Sequence, residues 1–312
     1  MKQQLEHILG ADRVRGQVDL FPYLSMRLHT KAQYFFEAKT KNDLLHAIQA
    51  SFELAIPLIM IGGGSNMVFH TPLIEGLVVK NSFADIDVIS ETKEEVDVEV
   101  GSGTSMALLI LYLTEKGYSG LEYQKGLPGT VGGGVYMNSK WTHPVSYVGD
   151  CVLSAVLADK QGNEKKVDKD YFVFSYDYSK LQDTHEYIMS VVFRLKKINP
   201  KIVANRAREA FEYRSKTQPS GKPTCGCFFR NITEEVQKAH NLPTKSAGYL
   251  IDKAGMKGDS IGSFMVSEVH ANFIINTGGD ARPEDLKELT DLIKAKVKTK
   301  FGIQLVEEVE IK

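Results

Sequence analysis

The sequence predicts an α+β protein built in more than one lobe, on three observations. Strand-type alternation and helix-type spacing of apolar residues interleave over the first 200 positions. Near residue 201 the texture changes to longer charged, amphipathic stretches. The chain has 312 residues, more than one typical domain needs and enough for two or three.

In chain order, "NDLLHAIQASFELAI" spaces its apolar residues as a helix, with Asn42-Asp43 as the expected N-cap. It runs into "PLIMIGGGSN", a short buried strand ending in a glycine turn. "GLVVKN" and "VDVEVGSGTS" read as strands. "SMALLILYLTEKGYSG" reads as a helix closed by Gly117. "CVLSAVLADKQGNEKKV" predicts a hairpin turning at Gln161-Gly162-Asn163, and "EYIMSVVFRLKKI" a further strand. Beyond the change of texture, "NPKIVANRAREAFEYRSK" is an amphipathic helix and "TEEVQKAHNLPTKSAGYLIDKAG" holds a second helical stretch. "PEDLKELTDLIKAKVKTKFG" is the clearest helix, with Pro283 at its start, acids in its first turn and lysines before Gly302.

Composition excludes several classes. Apolar residues make up 43% and charged ones 25%, as in ordinary globular proteins. With 38 basic and 39 acidic residues the formal charge is −1, which argues against a global grip on nucleic acid or an anionic membrane. The start, "MKQQLEHILG", lacks an apolar signal core, and the apolar runs near 54–61 and 107–113 are too short to span a bilayer. A cytoplasmic protein is expected. The three cysteines, Cys151, Cys225 and Cys227, make no disulfide framework. "CGC" has no neighbouring ligand cluster, so no metal site is predicted.

Two glycine clusters carry the functional signal. "IGGGSN" (61–66) strips side chains from the end of an apolar strand. "GLPGTVGGGVYMN" (126–138) holds five glycines and a proline in thirteen residues, too many for an ordinary turn. Bare backbone suits either a tight turn or N–H groups brought close to an anion such as phosphate. Neither cluster has the Gly-Lys-Ser/Thr of a P-loop or the spacing of a dinucleotide fingerprint.

Seven motifs in order, "IGGGSN", "GLPGTVGGGVYMN", "RSKTQP", "PTCGCFFRN", "LIDKAGMKG", "VSEVHANFIIN" and "FGIQLVEEVEI", resemble those of the UDP-N-acetylenolpyruvoylglucosamine reductase (MurB) family. The likeness runs over roughly residues 25–312, and the absence of a long insertion is similar to its shorter, type II branch. The resemblance implies an FAD-binding fold of the vanillyl-alcohol oxidase type in two subdomains, expected at 1–82 and 83–200. A substrate-binding domain with a catalytic C-terminal segment is expected at 201–312. It implies FAD, NADPH as reductant, a UDP-sugar substrate in peptidoglycan precursor synthesis, and no obligate protein partner.

Carried over residue by residue, the resemblance assigns the flavin diphosphate to Gly62, Gly63, Gly64, Ser65, Asn66, Pro128, Gly129, Thr130, Gly132 and Gly133, with Asn138 after the second loop. It makes Cys227 the proton donor, where many members have Ser. A thiol is mostly protonated at neutral pH and is a better acid than a hydroxyl. Glu308 matches the C-terminal catalytic Glu. Tyr176, Arg214, Lys216, Arg230, Asn231 and Lys257 are expected on the substrate. In "FSYDYS" Asp177 stands where the family usually has Arg facing the substrate carboxylate, so another cation is required or turnover is impaired. Arg214, Arg230, Lys257 and Lys180 are the expected substitutes. Two further departures are His29-Thr30 for an early Gly-Gly, and "SKWTHP" for the usual Ala-Gly-Ala after "YMN". The alternatives left open are a flavin oxidoreductase with another substrate and a flavin-binding homologue that regulates rather than turns over.

Overall fold

Alternation of apolar and polar residues dictates most of the strands in the computed structural model, which describes residues 1–312. The chain divides into two compact units. One comprises 1–18, 32–63 and 75–214; the other comprises 19–31, 64–74 and 215–312.

The first unit carries two sheets. A four-stranded sheet has the order Val14–Asp19, Lys31–Ala38, Leu73–Asn81, Leu58–Ile61. Its last two strands are parallel, with Ile61 opposite Lys80. The helix Lys41–Glu53 covers it through Leu44, Ala47 and Ile48. That helix is capped by Thr40 rather than by Asn42-Asp43. The Thr40 hydroxyl accepts from the Asp43 N–H and the Asp43 carboxylate accepts from the Thr40 N–H, a reciprocal capping box. The second, antiparallel sheet has the order Glu164–Asp168, Val152–Ala158, Tyr187–Lys197, Glu95–Gly101, Ile86–Glu91. The helix Met106–Lys116 packs on it, started by Ser105 and stopped by left-handed Gly117.

The second unit has an antiparallel sheet ordered Thr224–Cys227, Phe273–Asn276, Phe264–Val266, Ser260–Ile261. The helix Pro283–Phe301 buries Leu286, Leu289 and Ile293. The stretch 233–255 forms two short helices, Glu234–Ala239 and Ala247–Lys253, interrupted at Leu242-Pro243. The segments taken from the N-terminal part are tied in by Asn276, whose side-chain amide donates to the Met26 carbonyl at 3.0 Å. They are tied again by a parallel pairing of Glu310–Ile311 with Met67–Val68. No helix is long and apolar enough to cross a membrane.

Candidate functional site

In the first unit, the two glycine clusters meet. A Cβ added to Gly63 would lie 2.5 Å from Gly129 Cα, and one added to Gly62 would overlap the Thr130 hydroxyl. These glycines are bare because two backbones pass at contact distance. Gly132 is likewise committed to protein: its N–H donates to Ser102 O at 2.8 Å, while Val131 N–H donates to Thr104 O at 2.9 Å. The "GSGTS" segment is therefore the bed of the second glycine loop. Gly133 differs. It is exposed, and an added Cβ would meet only the Thr130 hydroxyl, at 3.8 Å. A side chain is absent there although the protein leaves room for one, which is the arrangement expected where a ligand approaches the backbone. Thr130 occupies the N-cap position of the short glycine-rich helix Val131–Tyr136.

Below this seam lies a cation that sequence reasoning missed. Lys80, at the end of its strand, donates through Nζ to the Gly62 carbonyl. Burial holds its pKa below the ordinary lysine value, with Glu37 acting in the opposite direction. A lysine after an apolar strand reads as a solvated end, so only the fold reveals it.

Asn138, left-handed at φ 46° and buried, is a clamp. Its amide donates to Ser175 O at 2.8 Å and its carbonyl accepts from Gly149 N–H at 3.0 Å. Ser179 donates to Tyr136 O at 2.6 Å. Together they fix the turn Ser175–Tyr178, whose ends exchange backbone hydrogen bonds. Tyr176 and Asp177 are its central residues. Asp177 sits at φ 49°, a position that favours Gly, Asn or Asp, and is only 7% exposed. Beside the turn, the strands Lys140–Thr142 and Val145–Tyr147 form a hairpin absent from the sequence reading. Its Trp141 indole donates to His143 O at 2.8 Å and packs edge-on to Tyr213. The Arg214 guanidinium stacks 4.6 Å above the Trp141 ring.

In the second unit, Gly64 is left-handed, accepts from Ser25 N–H and lies against the Tyr23 carbonyl. Asn66 O accepts from Glu310 N–H at 2.9 Å, and Asn66 Nδ2 donates to Glu308 O at 3.4 Å. On its other side the C-terminal segment pairs with residues 228–230: Glu308 N–H donates to Phe228 O and Arg230 N–H to Val306 O, both at 2.8 Å. Glu308 is thus held next to the strand ending at Cys227. The neighbouring acids are spoken for, Glu307 by Lys294 at 2.7 Å and Glu310 by Lys312 at 3.0 Å.

The thiols divide by environment. Burial pushes Cys225 up to about 12, with the Glu308 charge adding to the effect, and pushes Cys151 to about 12. Cys227 is half-buried. Of the expected substrate residues here, Asn231 accepts from Ala247 N–H and so starts the helix Ala247–Lys253. Lys257 pairs with Asp252 at 3.5 Å. Arg230 is half-buried and Lys216, on the helix Pro200–Thr217, is exposed. His270 accepts from Asn272 N–H, packs against Phe273, and has its pKa lowered by burial. Ser65 is half-buried and Pro128 exposed.

Comparison with known proteins gives one picture across both units. Residues 32–168 match an FAD binding domain, and residues 218–312 match the C-terminal domain of UDP-N-acetylenolpyruvoylglucosamine reductase. UDP-N-acetylenolpyruvoylglucosamine reductases of Chlamydia muridarum and Chlamydia trachomatis are each 37% identical over 298 residues. That covers 96% of this chain, and 94% and 96% of theirs. The crystal structure of UDP-N-acetylenolpyruvylglucosamine reductase from Thermus caldophilus superposes with a TM-score of 0.78 at 27% identity, over 96% of this chain and 98% of that one.

Proposed function

The chain belongs to the UDP-N-acetylenolpyruvoylglucosamine reductase family, and we propose that it reduces the enolpyruvyl ether of that UDP-sugar to the lactyl ether, with NADPH as reductant, for peptidoglycan synthesis in the cytoplasm. Bound FAD would supply the hydride-transfer chemistry between the reductant and the substrate's methylene carbon. Everything else falls to side chains and backbone of this chain.

Gly62, Gly63, Gly129, Thr130 and Gly133 line the seat for the flavin diphosphate, with Gly64, Ser65 and Asn66 continuing the first loop and Pro128 shaping the second. The open space at Gly133 supports that fit. Gly132 and Asn138 serve it indirectly, by packing and by clamping. After hydride arrives at the methylene carbon, the neighbouring carbon carries the negative charge and takes the proton of the Cys227 thiol. Solvent then restores that proton. Glu308 orients the enolpyruvyl group and its water. Tyr176, Arg214, Lys216, Arg230 and Lys257 are proposed on the UDP-sugar, Arg suiting diphosphate best. Asn231 supports them as a helix cap.

The observation that supports the reading is the backbone pairing of Glu308 with Phe228, which holds residue 308 beside the end of the Cys227 strand. Anaerobic stopped-flow spectroscopy tests it. The reduced holoenzyme should be reoxidised on mixing with UDP-N-acetylenolpyruvoylglucosamine and should stay reduced without it. Persistent reduction in the presence of substrate would refute the assignment.

A further inference from the structure

The buried turn leaves a chemical gap: residue 177 is an acid where an anionic carboxylate of the substrate calls for a cation. Three of the expected replacements are held by residues outside this turn. Lys257 is paired with Asp252, and the Lys180 ammonium sits 4.5 Å from the Tyr171 ring centre. Arg214 lies on Trp141.

Lys140 is different. Its ammonium stands 5.1 Å from the ring centre of Tyr176, the residue beside Asp177, and 5.8 Å from that of Tyr147. It is half-buried and forms no ion pair with any carboxylate of the chain. Ring faces hold an ammonium in place without consuming its N–H donors on an acceptor oxygen. Both supports of this arrangement are braced by hydrogen bonds. The hairpin is pinned by the Trp141 indole, and the turn by Asn138 and Ser179. Strand alternation puts Lys140 and Trp141 on opposite faces, so one short hairpin presents a lysine on one side and braces Arg214 on the other. The segment that departs from the family pattern at 139–144 therefore supplies a cation next to the position that lost one.

Resting on the reductase reading, we propose that Lys140 is the cation that meets the substrate's carboxylate in this protein, delivered by the 140–147 hairpin instead of by the turn itself. Asp177, largely withdrawn from solvent, then keeps the turn's left-handed geometry rather than opposing the substrate.

The test uses FAD-loaded Lys140→Met, Lys140→Gln and Lys140→Arg, each reduced with dithionite and mixed anaerobically with UDP-N-acetylenolpyruvoylglucosamine. Substrate affinity for the oxidised enzyme is read from the flavin spectrum. Loss of a charge-assisted contact should weaken binding or slow reoxidation by about tenfold or more in Met and Gln, with Arg retaining most of the rate. Flavin reduction by NADPH should stay within about twofold, because no substrate carboxylate is involved. UDP-N-acetylglucosamine, which lacks the carboxylate, should bind the parent and Lys140→Met equally. Should Lys140→Met melt early, Lys140→Gln, which keeps part of the stem and a donor, decides. Parent-like reoxidation in Met and Gln would overturn the proposal, as would equal losses toward both UDP-sugars or in both half-reactions. A parent enzyme that the substrate cannot reoxidise would instead refute the reductase reading itself.

Discussion

Replacing Gly133 by Ala separates two reasons for a bare backbone. In the protein alone, the new methyl group meets only the Thr130 hydroxyl, at 3.8 Å, an ordinary contact. Gly133 lies within the helix Val131–Tyr136, where Ala is favoured over Gly by about 0.5–1 kcal/mol. The flavin-free protein should therefore become more stable, with a Tm gain of about 1–4 °C for a unit of this size. FAD should bind less tightly, because the methyl holds a phosphate away from the backbone. Losing one hydrogen bond to a charged group costs about 1.5–3 kcal/mol, or about 10–150-fold in Kd. Gly63→Ala is the contrasting case. Its Cβ falls 2.5 Å from Gly129 Cα, 0.9 Å short of the 3.4 Å where ordinary contact begins. Neither backbone can yield cheaply, so stability and FAD affinity should drop together, the former by about 1–3 kcal/mol. Thermal unfolding of the apoprotein and quenching of flavin fluorescence read the two quantities. A more stable Gly133→Ala with unchanged FAD affinity would show that the diphosphate does not approach there.

Three further outcomes are expected. Cys227→Ala should leave flavin reduction by NADPH nearly intact and slow reoxidation by the enolpyruvyl substrate severely, with Cys227→Ser in between; equal loss in both steps would make the thiol structural. Lys80→Met removes the ammonium beneath Gly62 and should weaken FAD binding by about tenfold; an unchanged titration would exclude an electrostatic role. Asp43 has its pKa lowered to about 2: burial pushes upward, but Arg13 and the N–H groups of Lys39 and Thr40 outweigh it. A lowered folded-state pKa stabilises above the unfolded value near 4 and loses that stabilisation as pH falls toward 2. Asp43→Ala should thus cost about 2 kcal/mol at neutral pH and progressively less in acid. A cost independent of pH in denaturant titrations would contradict this.

What the sequence conveyed depended on how local each determinant was. The helix 283–301 was legible because Pro283, its acidic first turn and Gly302 are all its own residues. The hairpin at 152–168 was legible from its alternation and its Gly162 turn. The 140–147 hairpin was not, since three-residue strands hold too few positions to display a period. Glycine clusters announced a special backbone without saying what each glycine faces. Only the fold separates Gly63, pressed on another strand of chain, from Gly133, which opens to solvent. Asn138 looked like a ligand contact in the motif, whereas its hydrogen bonds go to Ser175 and Gly149, residues whose proximity no spacing rule reveals. Lys140 and Lys80 were passed over for the same reason: a lysine's meaning lies in its neighbours.

The scattered composition of the second unit has a consequence for how the chain is made. Segments 19–31 and 64–74 belong with 215–312, and Asn66 is bonded to Glu308 across 242 positions of sequence. On a ribosome adding about 5–20 residues per second, residues 66–68 emerge roughly 10–50 s before their partners at 308–311 exist. For that interval the two strips can pair only with each other, as Ser25 does with Gly64 and Lys31 with Pro72, while their C-terminal partners are missing. A fragment starting at residue 215 would lack those strips altogether. Newly made protein thus passes through a stage in which Met67–Val68 lacks its parallel partner, and synthesis of Glu310–Ile311 ends it.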